Sequence, residues 1–222
     1  MKKRIIIIII IIVTIAFLAA VTRNIVILNE IEEKFSKVRN STNYIQELHT
    51  YDNNEEKNPI GFISKKYYKD GVEKIEMQSV DGKMKNIQIS EKNSRVAYVD
   101  SNGEKKTIKD NTEHEIDGTI YNNLESKSVL DSFYNALLLR IKTVEEDGSK
   151  YYKIEGLPKY IRDNGTDIKA VEIYINYDYG TVEKMIRKYN DPNLKEELIT
   201  INYTFDTVLD EDFKLPIEDI NQ

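Results

Sequence analysis

The sequence predicts an α+β protein in which an N-terminal transmembrane helix leads into one antiparallel sheet domain with its helices laid on one face. Three observations predict it. A basic start is followed by a long uncharged apolar run, that run is followed by apolar residues at three- and four-residue steps, and most of the remainder alternates with period two between Asp-Gly and Asn-Gly dipeptides.

The chain opens Met1-Lys2-Lys3-Arg4 and then carries no charge from Ile5 to Val21. At about 1.5 Å per residue this run extends roughly 26 Å, close to the hydrocarbon thickness of a thin bilayer. Signal-peptide cores hold only about 7 to 15 apolar residues, so length favours a retained anchor. Leu18-Ala19-Ala20 leaves cleavage before Val21 as the alternative. Three basic residues precede the run and only Arg23 follows it directly, so the positive-inside rule places the N-terminus in the cytoplasm. Residues 1–23 are then a basic stub and signal-anchor helix, and residues 24–222 a single extracytoplasmic domain.

The chain has no cysteine. Lipid attachment after a signal sequence, disulfides, thiolate catalysis and sulfur-ligated metals are therefore excluded. Setting aside the four basic residues at the anchor, 28 basic residues remain against 38 acidic ones, a net charge of −10 for the exported part. Such a surface is expected to repel nucleic acid and anionic lipid.

Ile25, Leu28, Ile31, Phe35 and Val38 mark an amphipathic helix over about 24–39, continuous with the membrane helix or close to it. Its expected role is core packing. Strands follow near 44–52, 60–69, 72–79, 83–90, 95–100 and 104–109, joined as a meander through Asp70-Gly71, Asp81-Gly82 and Asn102-Gly103. Residues 110–125 read as a long loop. Ser128 is placed to cap a second helix over about 128–144 that carries Val129, Leu130, Phe133, Leu137, Leu138 and Ile141 and is stopped by Glu145-Glu146-Asp147-Gly148. Four strands complete the chain near 150–157, 168–176, 181–190 and 196–205, with Tyr179-Gly180 at one turn.

Tyr67-Tyr68-Lys69-Asp70-Gly71, the strand Val171-Glu172-Ile173-Tyr174-Ile175 running into Tyr179-Gly180, and Tyr203-Thr204-Phe205 before the acidic turn Asp210-Glu211-Asp212-Phe213-Lys214-Leu215-Pro216 occur in an order that resembles the LolA-like superfamily of lipoprotein-carrier proteins. The resemblance spans nearly all of residues 24–222. It implies an open, curved half-barrel wrapped around two helices, a cleft that takes an acyl chain, a lipoprotein or a protein partner, and no catalysis. Within the superfamily the chain is most similar to the spore-germination branch, whose members support a cell-wall amidase by protein contact. That branch is typically lipid-anchored, and the missing cysteine departs from it.

Nothing in the residues adds a catalytic centre. His49 and His114 are 65 positions apart and read as solitary exposed side chains, and no nucleophile-elbow, phosphate-loop or zincin motif occurs. Asp210-Glu211-Asp212 reads as a solvated turn that sets Phe213 and Leu215 against the core, because no calcium loop follows. The alternating Glu113, Glu115 and Asp117 read as wet surface. The 15 tyrosines read first as sheet packing, with a share left to line a cleft. Asn40-Ser41-Thr42, Asn164-Gly165-Thr166 and Asn202-Tyr203-Thr204 match the glycosylation triplet, which carries no weight in a bacterial chain. No catalytic residue, cofactor or metal is expected.

The resulting expectation is a non-enzymatic, membrane-anchored envelope protein. Its ligand is a protein partner or an acyl chain, held in a cleft between the second helix and the sheet by Leu137, Leu138, Ile173 and Ile201. Two alternatives stay open. A carboxylate-dependent envelope hydrolase requires two acids facing each other about 5 to 9.5 Å apart in a groove. An extracytoplasmic sensor would regulate a membrane signalling partner through the same cleft.

Overall fold

The structure is a computed structural model, and it describes residues 2–52, 59–120, 129–163 and 167–215. A single helix, α1 (Lys2–Val38), contains both the isoleucine run and the amphipathic segment without a break. At 37 residues it is about 55 Å long. Its stretch Arg4–Val38 is long and apolar enough to cross a membrane. The side chains from Ile5 to Leu18 are exposed, whereas Ile31 and Phe35 are fully buried.

Six strands follow as a meander: β1 (Asn43–Asp52), β2 (Phe62–Lys69), β3 (Val72–Ser79), β4 (Met84–Glu91), β5 (Ser94–Ser101) and β6 (Glu104–Asp110). After α2 (Val129–Leu138) the chain forms β7 (Arg140–Glu146), β8 (Ser149–Gly156), the short helix α3 (Lys159–Asp163), β9 (Ile168–Asn176), β10 (Val182–Tyr189) and β11 (Glu197–Phe205). A 3-10 turn at Asp210–Phe213 closes the described chain.

All eleven strands lie in one sheet, ordered β6-β5-β4-β3-β2-β1-β11-β10-β9-β8-β7, and every pairing is antiparallel. Two meanders therefore flank a central seam. The seam pairs the first strand with the last, in register from Tyr44↔Phe205 to Asp52↔Glu197. One inner face runs through Tyr44, Leu48, Tyr152, Ile154, Ile173, Met185, Ile199 and Ile201, and α1 packs on it with Ile27, Leu28 and Ile31. Phe35 extends the same contact to Tyr44, Tyr68, Tyr203 and Phe205. A smaller cluster of Tyr174, Ile186 and Leu198 lies on the other face.

The dipeptide turns are where the sequence places them. Asp70-Gly71 and Asn102-Gly103 both have two consecutive positive φ angles, the geometry whose twist matches that of a hairpin. The expected helix over 128–144 needs correction: the described helix ends at Leu138, and residues 140–146 are strand β7. Its cause is a third turn of the same kind. Asp147 and Gly148 have φ angles of 52° and 79°, so they connect a hairpin from Arg140↔Glu155 to Glu146↔Ser149 instead of stopping a helix. Ser128, Asn164-Gly165-Thr166 and Pro216 lie outside the described residues.

Gly180 shows how closely α1 sits on the sheet. It turns β9 into β10 with φ +69°, and a Cβ there would stand 2.6 Å from the Ile31 carbonyl oxygen and 2.8 Å from the Phe35 nitrogen. Gly180→Ala strains the turn and pushes α1 away from the sheet. Unfolding of the full chain in detergent should show a loss of about 2–4 kcal/mol, and unchanged stability would mean that the helix does not press on this turn.

Candidate functional site

Three groups of side chains link the apolar helix to the sheet or remain open beyond it. The first lies where α1 enters the domain. Asn24 is buried, and its Nδ2 donates to the carbonyl oxygens of Ala136 at 2.9 Å and Leu139 at 2.8 Å. These carbonyls stand at the C-terminal end of α2, where helical partners run out, so Asn24 acts as a cap delivered from another helix. Arg23 beside it donates from Nη2 to the carbonyl of Ile141. The junction borders a pocket of about 420 Å³ whose walls include Phe17, Val21, Leu137, Arg140 and Lys142.

The second group lies about three turns further along α1. Lys34 Nζ donates to Glu30 Oε1 at 2.8 Å, to the Tyr152 hydroxyl at 2.8 Å and to the Tyr177 carbonyl at 2.7 Å. Its charge also lies 3.7 Å from the centroid of the Tyr177 ring, which stacks on Tyr152. The Tyr152 hydroxyl donates to Glu30 Oε1 at 2.5 Å. Hydrogen bonds from Lys34 and then Tyr152 hold the Glu30 carboxyl below the usual glutamate range, while burial and the nearby carboxylate push the Tyr152 phenol up. With Lys34 donating to three acceptors and the Tyr152 hydroxyl donating to Glu30, the cluster locks α1 to β8.

The third group is the inner face of β2 to β6. Strand register aligns it in rows: Tyr68, Glu73, Ser90, Arg95 and Asp110 in one, then Lys66, Ile75, Gln88, Ala97 and Ile108, then Ser64, Met77, Asn86 and Val99, with Phe62 and Met84 at the far end. Residues 111–120 cross its seam side, where the Ile120 amide donates to Arg39 O, Lys66 Nζ to Asp117 O and the Tyr44 hydroxyl to Gly118 O. Beyond that crossing Phe62, Met77, Met84 and Ile108 are 37–48 % exposed. Four large apolar side chains on one strand face is an unusual exposure for a sheet with a solvated side.

The four cleft residues expected from sequence do not meet in one cleft. Ile173 is fully buried and Ile201 packs against the same core beneath α1. Leu137 and Leu138 lie on the far side of α2, 36 % and 52 % exposed. Alternation marked Ile173 and Ile201 as inward, as they are, while Leu137 and Leu138 are exposed on α2. Sequence reasoning missed Asn24 and Lys34. A signal was present for Asn24, a polar residue in phase with Leu28, Ile31 and Phe35 on the apolar face.

The histidines also differ from the expectation of exposed solitary groups. His49 Nε2 lies 2.6 Å from Glu47 Oε1 and its ring stacks on Tyr51, while His114 Nε2 lies 3.4 Å from Asp110 Oδ2 with its side chain mostly covered. Among the described residues no group of three or more His, Asp and Glu could hold a metal. Several acids are bound into ion pairs: Glu73 with Lys66 at 2.8 Å, Glu172 with Lys153 and Lys188 at 2.7 Å each, and Asp210 with Lys69 at 2.6 Å. Burial pushes the Glu183 carboxyl up against hydrogen bonds from the Asn176 amide, at 2.9 Å, and from Tyr151. The closing turn is built as the sequence suggests, with Asp212 Oδ2 accepting from the Leu209 amide and Phe213 and Leu215 half-buried.

An open antiparallel sheet carrying helices on its inner face is the LolA-like architecture that the sequence resemblance implies. No family model matches the chain, and no curated protein matches it. Solved structures similar to it include an uncharacterized conserved protein from Thermus thermophilus, 12 % identical over 86 % of this chain and 95 % of that one, with a TM-score of 0.46. A LolA superfamily protein from Nitrosomonas europaea is 8 % identical over 84 % of this chain and 97 % of its own, with a TM-score of 0.30. A chain of the Pseudomonas aeruginosa MucA/MucB complex is 11 % identical over 83 % of this chain and 59 % of that one, with a TM-score of 0.33.

Acid should loosen this structure. The folded state holds Glu30 and Glu172 below their ordinary pKa through hydrogen bonds from Lys34 and Tyr152 and from Lys153 and Lys188 respectively. A depressed carboxylate contributes stability that is fully present above the unfolded value, about 4.3, and is lost as pH falls through the folded value. Melting temperature should therefore fall below about pH 4.3, and the combined Glu30→Gln and Glu172→Gln variant should fall less steeply than the parent. Equal slopes would show that these carboxylates do not link protons to folding.

Proposed function

We propose that this chain is a membrane-tethered, non-enzymatic binding protein of the bacterial cell envelope, with its N-terminus in the cytoplasm and the sheet domain outside. The observation that carries this reading is the contrast between the two arms of the sheet. Over β7 to β11 and β1 the inner face is sealed by α1, whereas over β2 to β6 it presents Phe62, Met77, Met84 and Ile108 to solvent beyond residues 111–120. At about 4.8 Å per strand the five-stranded arm is roughly 19 Å across, wide enough for a helix or an extended segment.

A protein partner fits this surface better than an acyl chain. Asn86 and Gln88 lie in rows beside the apolar side chains and offer hydrogen bonds that a hydrocarbon does not use. The resemblance to the spore-germination branch suggests a cell-wall amidase as that partner, and lipoprotein binding is the second reading. A sensor that regulates a membrane protein would use the same surface. The hydrolase alternative is disfavoured by the engagement of Glu73, Glu172 and Asp210 in ion pairs. A retained spanning helix also fixes the domain at one membrane, which suits binding in place over carriage across an envelope.

The test is photocrosslinking of the full-length protein in its native membrane, with the photoreactive residue at Met77 or Ile108 on the inner face and at Lys109 on the other. Crosslinked products specific to the inner positions, abolished by Met77→Lys with Ile108→Lys, are expected. These exposed substitutions should change stability by no more than about 0.5 kcal/mol. Products that are equal at Lys109, or absent from the inner positions, would refute the assignment. A cell-wall amidase among them would select the germination reading, and lipoproteins the second.

A further inference from the structure

The inner face of β2 to β6 leaves a second exposed apolar surface without a role. In α2 the buried side is Asn135 and Ala136, followed by Leu139, while Phe133, Leu137 and Leu138 face outward at 51, 36 and 52 % exposure. Phe133 and Leu137 are one helical turn apart and Leu138 adjoins them, so the three make one stripe. Such a stripe on a ten-residue helix of a soluble surface needs a medium to face.

The position of α2 identifies that medium. Asn24 bonds to the Ala136 and Leu139 carbonyls and thereby fixes the C-terminal end of α2 at the level of Asn24. Asn24 is three residues beyond Val21, the last residue of the apolar run, or about 4.5 Å along the axis. The pocket beside it takes part of its wall from Phe17, Ala20 and Val21 of that run and part from Leu137, Arg140 and Lys142 of the domain. Phe17 is seven residues before Asn24, about 10 Å lower on the helix. Wherever α1 crosses a bilayer with this run in the hydrocarbon, the end of α2 stands at the headgroup level.

Charge on this side is opposite in sign to that of the domain as a whole. Arg23, Arg140 and Lys142 gather here, although the exported part carries −10. Glu155 is the shared carboxylate of Arg140 at 3.8 Å and Lys142 at 2.9 Å, so one negative charge faces two positive ones there, while Lys153, 3.5 Å from Glu155, lies closer to Glu172 at 2.7 Å. Arg23 is oriented by the Ile141 carbonyl, which keeps its full charge. Cations at the edge of an apolar stripe are the arrangement of a helix that lies in an anionic membrane surface.

We propose that α2 is an interfacial helix: Phe133, Leu137 and Leu138 enter the outer leaflet around α1, and Arg23, Arg140 and Lys142 meet the phosphates of anionic phospholipids. The proposal rests on retention of α1 as an anchor and is independent of what occupies the inner face of β2 to β6. It gives the domain a second attachment point, so the sheet stands at a set angle to the membrane. It also brings β7, an edge strand of the sheet among the described residues, against headgroups that separate it from other strands.

The chain has no tryptophan, so a single one introduced by substitution is a unique fluorophore. Leu138→Trp and, as an independent position, Phe133→Trp would each be placed in the full chain, reconstituted in phosphatidylcholine vesicles with and without phosphatidylglycerol, and exposed to lipids brominated near the headgroup. Phe62→Trp, on the far arm, is the control. Blue-shifted emission and bromolipid quenching severalfold above the control are expected, with quenching reduced severalfold by Arg140→Glu and Lys142→Glu in phosphatidylglycerol vesicles. Water-like emission at both α2 positions with quenching no greater than the control would overturn the insertion of α2. Quenching that survives the charge reversals would overturn the phosphate contact.

Discussion

The continuity of one helix from the exposed apolar run into the core under the sheet is the constraint on which the rest of the structure depends. α1 passes from an exposed isoleucine run into a fully buried Ile31 and Phe35 with no intervening loop. An ordinary tethered domain hangs from a linker and folds without reference to the bilayer. In this chain the helix that would carry the membrane segment is also the helix that fills the core, so tether and domain move as one body. Burial of Phe35 and Ile31 alone is worth about 1.5–3 kcal/mol each, and breaking α1 near Asn24 would forfeit alignment of both halves.

The polar contacts around α1 are placed where they protect this continuity. Asn24 closes the open carbonyls of α2, Arg23 meets β7 at Ile141, and Lys34 is held on three sides by Glu30, Tyr152 and Tyr177. Each draws a different element against the same helix. The sheet reciprocates at Gly180, where the lack of a side chain allows backbone to approach backbone. This concentration of contacts explains why the inner face is solid over one arm, while the remaining arm stays exposed beyond residues 111–120.

Local signals in the sequence were enough for the hairpins. Asp70-Gly71 and Asn102-Gly103 specify both the turn type and the strands on either side, since positive φ at two successive positions admits few other connections. β7 was illegible because Phe133, Leu137, Leu138 and Ile141 keep helical spacing across the end of α2. The choice was settled by β8, whose partner residues follow a turn that reads equally as a helix stop. The β1–β11 seam joins residues more than 140 positions apart, and nothing in either strand names its partner. Of the expected cleft, apolar character was legible at Leu137, Leu138, Ile173 and Ile201, but direction depended on the true end of α2 and on α1 covering Ile173. The exposed strip on β2 to β6 could have been found from Met77, Met84 and Ile108 only with the strand register in hand.

A helix continuous from the apolar run into the core would hold anything bound by the open arm at a set height and angle above a bilayer that the run crosses. The most direct measurement is hydrogen–deuterium exchange of the full chain in phospholipid vesicles, followed through residues 18–36. Continuous protection across Val21, Arg23 and Asn24, merging with that of Ile31 and Phe35, is the result expected of a single helix. Rapid exchange confined to the residues around Asn24, between two protected segments, would reveal a hinge and contradict the account.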